Sequence, residues 1–277
     1  MMTFDELRSH FNEITQLARG GQKVVWQATH AQYGKTVIKL YFSVDARAER
    51  EIAISKTLCF DKVPGIYETG TVSYEGQETL YVVEQFIDGC TLRSYLNSGK
   101  LFDICVAVSF LEQGFSFVRQ LEKNQIVHRD IKPENLILTN DRLVYFLDFG
   151  IARMLDMQSL TQSDAAFGPH TPGYAAPEQF NNLKRDIDSR TDLFSLGVVT
   201  YECLTGRNPF RENAASALDI LQRTATVTPA SYQIKGDDQH LLMGLISSMM
   251  GKNPSMRPKD ATQAIDWLNV IKPTLKY

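Results

Sequence analysis

His128-Arg129-Asp130-Ile131-Lys132-Pro133-Glu134-Asn135 concentrates charge between an apolar helical segment and the apolar run Leu136-Ile137-Leu138. Asp130, Lys132 and Asn135 are a carboxylate, an ammonium and a carboxamide. Phosphoryl transfer to a hydroxyl uses this set: a base or orienter for the hydroxyl, a cation beside the moving phosphate, and an oxygen ligand for Mg²⁺. Eight residues can match by chance, so the rest of the chain has to supply the other parts in the right order.

Composition limits what those residues can belong to. The chain has 277 residues, 43% hydrophobic and 22% charged, which is enough globular material for two lobes or two small domains. A formal net charge of -3 gives no bulk attraction to nucleic acid or to an anionic membrane. Cys59, Cys90, Cys105 and Cys203 are scattered without a C-x-x-C pair or a histidine at ligand spacing, which does not fit a zinc site or a disulfide framework. The first residues carry early acids and no signal-length apolar core, and no later segment reaches membrane-spanning length without charge. The expectation is a cytoplasmic protein with no nucleic-acid or membrane partner.

Outward from the loop, the pattern alternates between periods of two and 3.6. Downstream, Leu143-Val144-Tyr145-Phe146-Leu147 predicts a buried strand ending at Asp148-Phe149-Gly150, thirteen residues beyond Asn135. Polar Ser159-Leu160-Thr161-Gln162-Ser163 follows, and the segment closes with Thr171-Pro172-Gly173-Tyr174-Ala175-Ala176-Pro177-Glu178. Asp192 to Leu204 is apolar nearly all round and predicts a buried helix, at whose start Asp192 can accept backbone N–H bonds. Leu241 to Met250 carries a helical core stripe, Arg257 stands in Asn253-Pro254-Ser255-Met256-Arg257-Pro258, and Ala261 to Ile271 predicts a final helix. Upstream, Phe102 to Leu121 predicts a helix. Thr36 to Tyr41 alternates as a half-buried strand, with Lys39 among β-branched and aromatic neighbours. Asp45 to Leu58 has a helical pattern carrying Glu49 and Glu51, and Ile66 to Ser73 and Thr79 to Gln85 predict strands around Glu75-Gly76-Gln77. Near the start, Asp5 to His10 predicts one helical turn, Phe11 to Leu17 fits strand or helix, and Gly20-Gly21 predicts a turn before the run Lys23 to Ala28.

These motifs, in this order and across almost the whole chain, resemble the eukaryotic-like (Hanks-type) Ser/Thr protein kinases. Asp148-Phe149-Gly150-Ile151-Ala152-Arg153 looks most like the bacterial members. The resemblance implies an α+β, bilobal fold over residues 1–277: an N-lobe, 1–86, with a small antiparallel sheet and one main helix, and a larger, mainly helical C-lobe, 87–277. It implies transfer of the γ-phosphoryl of ATP to a protein Ser/Thr hydroxyl, with Mg²⁺ or Mn²⁺ as cofactor. On that resemblance Asp130 accepts the hydroxyl proton and Lys132 offsets charge on the transferring group. Asn135 and Asp148 hold the metal, and Lys39, held by Glu51, positions the phosphates. Glu49 is the competing candidate, on a different helix face. The phosphate-covering loop keeps Gly20 and Val25 of the family pattern, while Ala18 and Lys23 replace its first and third glycines.

Phe86 to Leu92 resembles the connection between the lobes. Counting back from Gly89 places Glu84 at the residue guarding the adenine site; an offset of one puts Val83 there and Glu84 in the connection, and both stay open. His128, Arg129, Phe149, Gly150, Thr171, Glu178, Asp192 and Arg257 match structural positions of the family, with Asp192 bracing the catalytic loop and Arg257 pairing with Glu178. Arg129 implies a cation for a phosphate on the activation loop, with autophosphorylation at Thr161, or alternatively Ser159 or Ser163. Glu134 weakly favours a basic residue in the substrate. Dimerisation stays open, a transient dimer being one route to autophosphorylation. The rival reading is a nucleotide-binding scaffold without chemistry, towards which the altered glycine loop leans.

Overall fold

Apolar side chains at alternate positions, Ile38 and Leu40 on one strand and Tyr81 and Val83 on another, commit one face of a sheet to a core. The structure is a computed structural model. It describes residues 2–21, 23–42, 52, 56, 60–148, 153–154, 171–180 and 186–277. The sheet is antiparallel with strand order β1-β2-β3-β5-β4, where β1 is Phe11–Arg19, β2 Lys23–His30, β3 Gly34–Tyr41, β4 Ile66–Tyr74 and β5 Gln77–Gln85. Phe11 to Leu17, which fits either period, is strand because β2 pairs along it and Phe11 is buried. The turn between β4 and β5 contracts to Glu75-Gly76, both at positive φ (52° and 79°), so pairing runs on to Tyr74 and Gln77. Such two-residue turns match the right-handed twist of the flanking strands.

A short helix, Phe4–Arg8, closes one face of this sheet. Thr3 caps it and Glu6 returns the bond in a capping box, while Phe4 and Leu7 pack with Val24, Ala28, Ile38, Leu40, Val72, Tyr81 and Val83. The opposite face carries Lys39, Tyr41, Val82 and Glu84. Ile52 and Lys56 are helical, and the rest of the helix expected over 45–58, Glu49 and Glu51 included, lies outside the described residues.

Two compact units divide the chain: Met1–Asp88 with Leu147–Gly150, and Gly89–Phe146 with Ile151–Tyr277. The second is mainly helical. Its Ile104–Lys123 helix starts after Asp103, whose carboxylate caps Val106 N–H, so the helix expected from Phe102 begins two residues later. Ser189–Thr205 runs beneath it, buried on nearly every side. Glycines set these crossings: a Cβ at Gly114 would lie 3.0 Å from Leu196, and one at Gly197 2.9 Å from Met249 of the Leu241–Met249 helix. The last long helix, Ala261–Ile271, ends where its pattern predicts.

Capping corrects one expectation. The Ser189–Thr205 helix is capped by Asp188, which binds Arg190 N–H, and Asp192 lies inside its first turn, so helix capping is not what Asp192 does. Among the described residues, no helix is long and apolar enough to cross a membrane. Nor does any group of three or more His, Cys, Asp and Glu among them stand ready to hold a metal ion.

Candidate active site

In the first unit the site is built on the face of the sheet opposite the helix-covered core. Lys39 sits on β3, opposite Val82 of β5, and Glu84 lies two residues on, opposite Val37. Period-two alternation puts both side chains on one face, and Val83 on the other. Lys39 Nζ stands 2.8 Å from Glu84 Oε1 and 3.0 Å from Asp148 Oδ1. Lys23 Nζ, from the start of β2, reaches the same Asp148 oxygen at 2.6 Å. Burial pushes the Asp148 carboxyl up, but the two lysines outweigh it and hold the group well below the usual carboxylate range. Asp148 is therefore ionised at any physiological pH, the form that a hard cation requires. It takes a left-handed backbone, φ 62°, which costs a non-glycine residue on the order of 1–3 kcal/mol and is concentrated at functional sites.

Ala18 pairs with Val25 across β1 and β2, and Gly20 N–H donates to Lys23 O at 2.9 Å. A Cβ at Gly20 or Gly21 would meet nothing closer than 3.9 Å, so crowding within the chain does not require glycine there. Phe86 is half-buried, with Lys35 Nζ 5.7 Å from its ring centroid.

In the second unit, residues of the His128-to-Asn135 loop converge on one hydroxyl. Thr171 Oγ1 donates to Asp130 Oδ1 at 2.8 Å and accepts from Lys132 Nζ at 2.8 Å, while Lys132 Nζ also reaches Asp130 Oδ2 at 2.7 Å. Asn135 Nδ2 donates to Asp130 Oδ2 at 2.8 Å and to Asp130 O at 3.0 Å, which fixes the carboxylate and leaves the amide oxygen as the atom that suits a metal. A 3₁₀ turn over Pro133–Asn135 brings Asn135 back towards Asp130.

The loop backbone is held from the buried helix. His128 N–H and Arg129 N–H donate to the two Asp192 oxygens at 2.8 and 2.9 Å. Burial pushes the Asp192 carboxyl up to about 7, against the pull of these two bonds. Arg129 takes φ 69°, its carbonyl accepts from Gln179 Nε2 at 2.9 Å, and Asp130 N–H reaches His128 Nδ1 at 3.3 Å. Glu178 is bound bidentately by Arg257 at 2.6 and 2.9 Å, with both side chains almost fully buried.

Two contributors escape sequence reasoning. Gln179 follows a motif residue and carries no pattern of its own. Arg93 bonds Glu134 at 2.8 Å, Glu202 at 2.9 Å and the Tyr174 hydroxyl, which itself donates to Glu202. A glutamate inside the otherwise apolar Asp192-to-Leu204 run was the available signal for this network. Glu134 meets Arg93 through one oxygen, and its side chain stays 42% exposed. Phe149, Gly150, Ser159, Thr161 and Ser163, like Glu51, lie outside the described residues.

Comparison with known proteins places these residues in a wider setting. Residues 11–267 match the family described as "Protein kinase domain". A probable serine/threonine-protein kinase PknB of Lactococcus lactis is 31% identical over 216 residues, covering 75% of this chain and 33% of that protein. A probable serine/threonine-protein kinase of Streptomyces coelicolor is 34% identical over 205 residues, covering 70% and 30%. The serine/threonine-protein kinase PknA of Mycobacterium tuberculosis is 32% identical over 266 residues, covering 92% and 60%. The chain thus spans from about a third to 60% of the length of these relatives.

Proposed function

Since the chain belongs to the protein-kinase domain family, we propose that it is an ATP-dependent serine/threonine kinase that phosphorylates protein hydroxyls. The observation that carries this reading is the Thr171 hydroxyl, which donates to Asp130 and accepts from Lys132. A carboxylate and an ammonium that converge on one aliphatic hydroxyl are what an acceptor serine or threonine needs. In the transfer, the acceptor oxygen bonds to the γ-phosphorus as the bond from that phosphorus to the β,γ-bridging oxygen breaks. ADP leaves, and the hydroxyl proton passes to Asp130 and then to solvent. Lys132 offsets charge on the transferring oxygens, and Lys39 binds and orients the phosphates. The ionised Asp148 and the Asn135 amide oxygen are hard donors that suit Mg²⁺ or Mn²⁺, which when bound neutralises phosphate charge. Glu84 lies on the Lys39 face of β5, which supports reading it, rather than Val83, as the residue that guards the adenine site, with Phe86 assigned to the same site. We assign residues 1–86 and 87–277 to the two lobes, and Thr161, with Ser159 and Ser163 as alternatives, to autophosphorylation.

Incubation with radiolabelled ATP, Mg²⁺ and a generic protein substrate tests this, with Asp130→Ala as the comparison. Label on the substrate or on the 159–163 segment, lost in Asp130→Ala, is the expected result. The scaffold alternative is favoured by Ala18 and Lys23 in the glycine loop. Nucleotide binding without transfer to any protein would establish it and overturn the kinase reading.

A further inference from the structure

Lys39 is usually expected to take its orientation from a carboxylate on a neighbouring helix, but the described residues offer it one on the sheet itself. Glu84 projects from β5, which pairs with β3 on one side and β4 on the other, so Val37 and Ile66 both lie opposite it. A residue laddered on both sides has little backbone freedom. Glu84 as a whole is only 7% exposed, and its Oε1 stands 2.8 Å from the ammonium of Lys39, itself a residue 4% exposed. A carboxylate that far from water needs a cation to remain charged, and the cation present is the one that would hold the phosphates. Lys39 also meets Asp148, and Asp148 meets Lys23, so charges alternate along Lys23, Asp148, Lys39 and Glu84.

We infer that Glu84 is a positioning residue for catalysis: it fixes the Lys39 ammonium from the sheet, in addition to whatever the 45–58 helix supplies. The inference rests on the kinase reading for its catalytic consequence, though not for the ion pair. Two effects of Glu84 oppose each other in nucleotide affinity. Its charge partly offsets the attraction of Lys39 for phosphate, while its hydrogen bond keeps Lys39 aligned. Removing the charge therefore leaves ground-state binding little changed and lowers the rate of the aligned step.

The test is Glu84→Gln, which keeps shape and removes charge. Labelling with acetic anhydride at one fixed pH, read by mass spectrometry on the peptide containing Lys39, reports how firmly the side chain is held, and the Lys39 peptide should label severalfold faster in Glu84→Gln. In the same protein kcat should fall about tenfold, with KM for ATP within about threefold of wild type. Glu84→Asp retains the charge but withdraws it by one methylene, and should give an intermediate labelling rate and kcat. It also carries the test should Glu84→Gln fail to fold. An unchanged Lys39 labelling rate together with a kcat within about twofold of wild type would overturn the inference. So would a rise in KM alone. If the wild type transfers no phosphate to any protein, the proposed function fails, and the labelling rate still decides whether Glu84 holds Lys39.

Discussion

Replacing Arg257 by methionine removes one half of an ion pair whose side chains are 0% and 2% exposed. The guanidinium gives two bonds to Glu178, at 2.6 and 2.9 Å, and others to the carbonyls of Gly251 at 2.8 Å and Arg190 at 3.0 Å. Without it, Glu178 keeps the Thr191 hydroxyl at 2.8 Å as its remaining described partner, a neutral donor for a buried charge. Breaking a buried pair from one side typically costs about 3–5 kcal/mol, because the other charge stays behind. At about 2–4 °C per kcal/mol for a domain of this size class, Arg257→Met should lower Tm by roughly 6–20 °C. Urea unfolding can follow the second unit by fluorescence of Trp267, in a Trp26→Phe background that silences the first unit's tryptophan. That background is tolerable because Trp26 Nε1 is buried without a hydrogen-bond partner, so phenylalanine removes an unpaired donor. The double variant Arg257→Met/Glu178→Leu should be less destabilised than the sum of its two singles by about 1.5 kcal/mol or more, since it leaves no orphaned charge. Additive costs, or an Arg257→Met loss below about 1 kcal/mol, would refute a strongly coupled buried pair.

Three other outcomes follow from the same geometry. Asp192, pushed from its ordinary 3.8 up to about 7, keeps a proton when folded that the unfolded chain has released. Its contribution is therefore complete below the unfolded value and is lost as pH rises through about 7; the urea midpoint of wild type should fall across that window more steeply than that of Asp192→Asn. Lys252 is pushed down to about 8 by burial and by the nearby charge of Arg257, with its ammonium 4.1 Å from the Phe210 ring centroid and without a hydrogen-bond partner. Lys252→Met should raise the urea midpoint at neutral pH, and the advantage should shrink as pH climbs through 8, where the wild-type lysine sheds its proton. Thr171→Val removes the hydroxyl shared by Asp130 and Lys132 and should lower kcat by about tenfold or more, while Thr171→Ser should retain most of it; equal losses in steady-state assays would show that the hydroxyl is not what matters.

Legibility in the sequence followed the range of the physical signal. Periodicity belongs to neighbouring residues, so strands such as Thr36 to Tyr41 and the helix from Ala261 to Ile271 could be placed without tertiary knowledge. The loop from His128 to Asn135 was legible because its chemistry is packed into eight residues. Contacts between segments far apart in the chain leave no local trace unless a known pattern supplies one. Glu178 and Arg257 were paired in advance only through family resemblance, whereas Gln179, one residue further along, holds the Arg129 carbonyl and announced nothing. Asp192 shows the same division. Its local context allowed a capping role, which Asp188 takes, and the role it has depends on backbone donors more than sixty residues upstream. Glu84 carries this one step further. Counting along the chain left it and Val83 interchangeable, because a shift of one residue on a strand exchanges faces and changes nothing else in the pattern. Cross-strand register separates their faces, setting Val83 into the helix-covered core and Glu84 beside Lys39. A carboxylate on that face is costly to bury, and a hydrophobic residue there would pack without needing a partner. The charge on Lys39 is what makes Glu84 tolerable on that strand, and that dependence is why its removal should be felt at Lys39 before anywhere else.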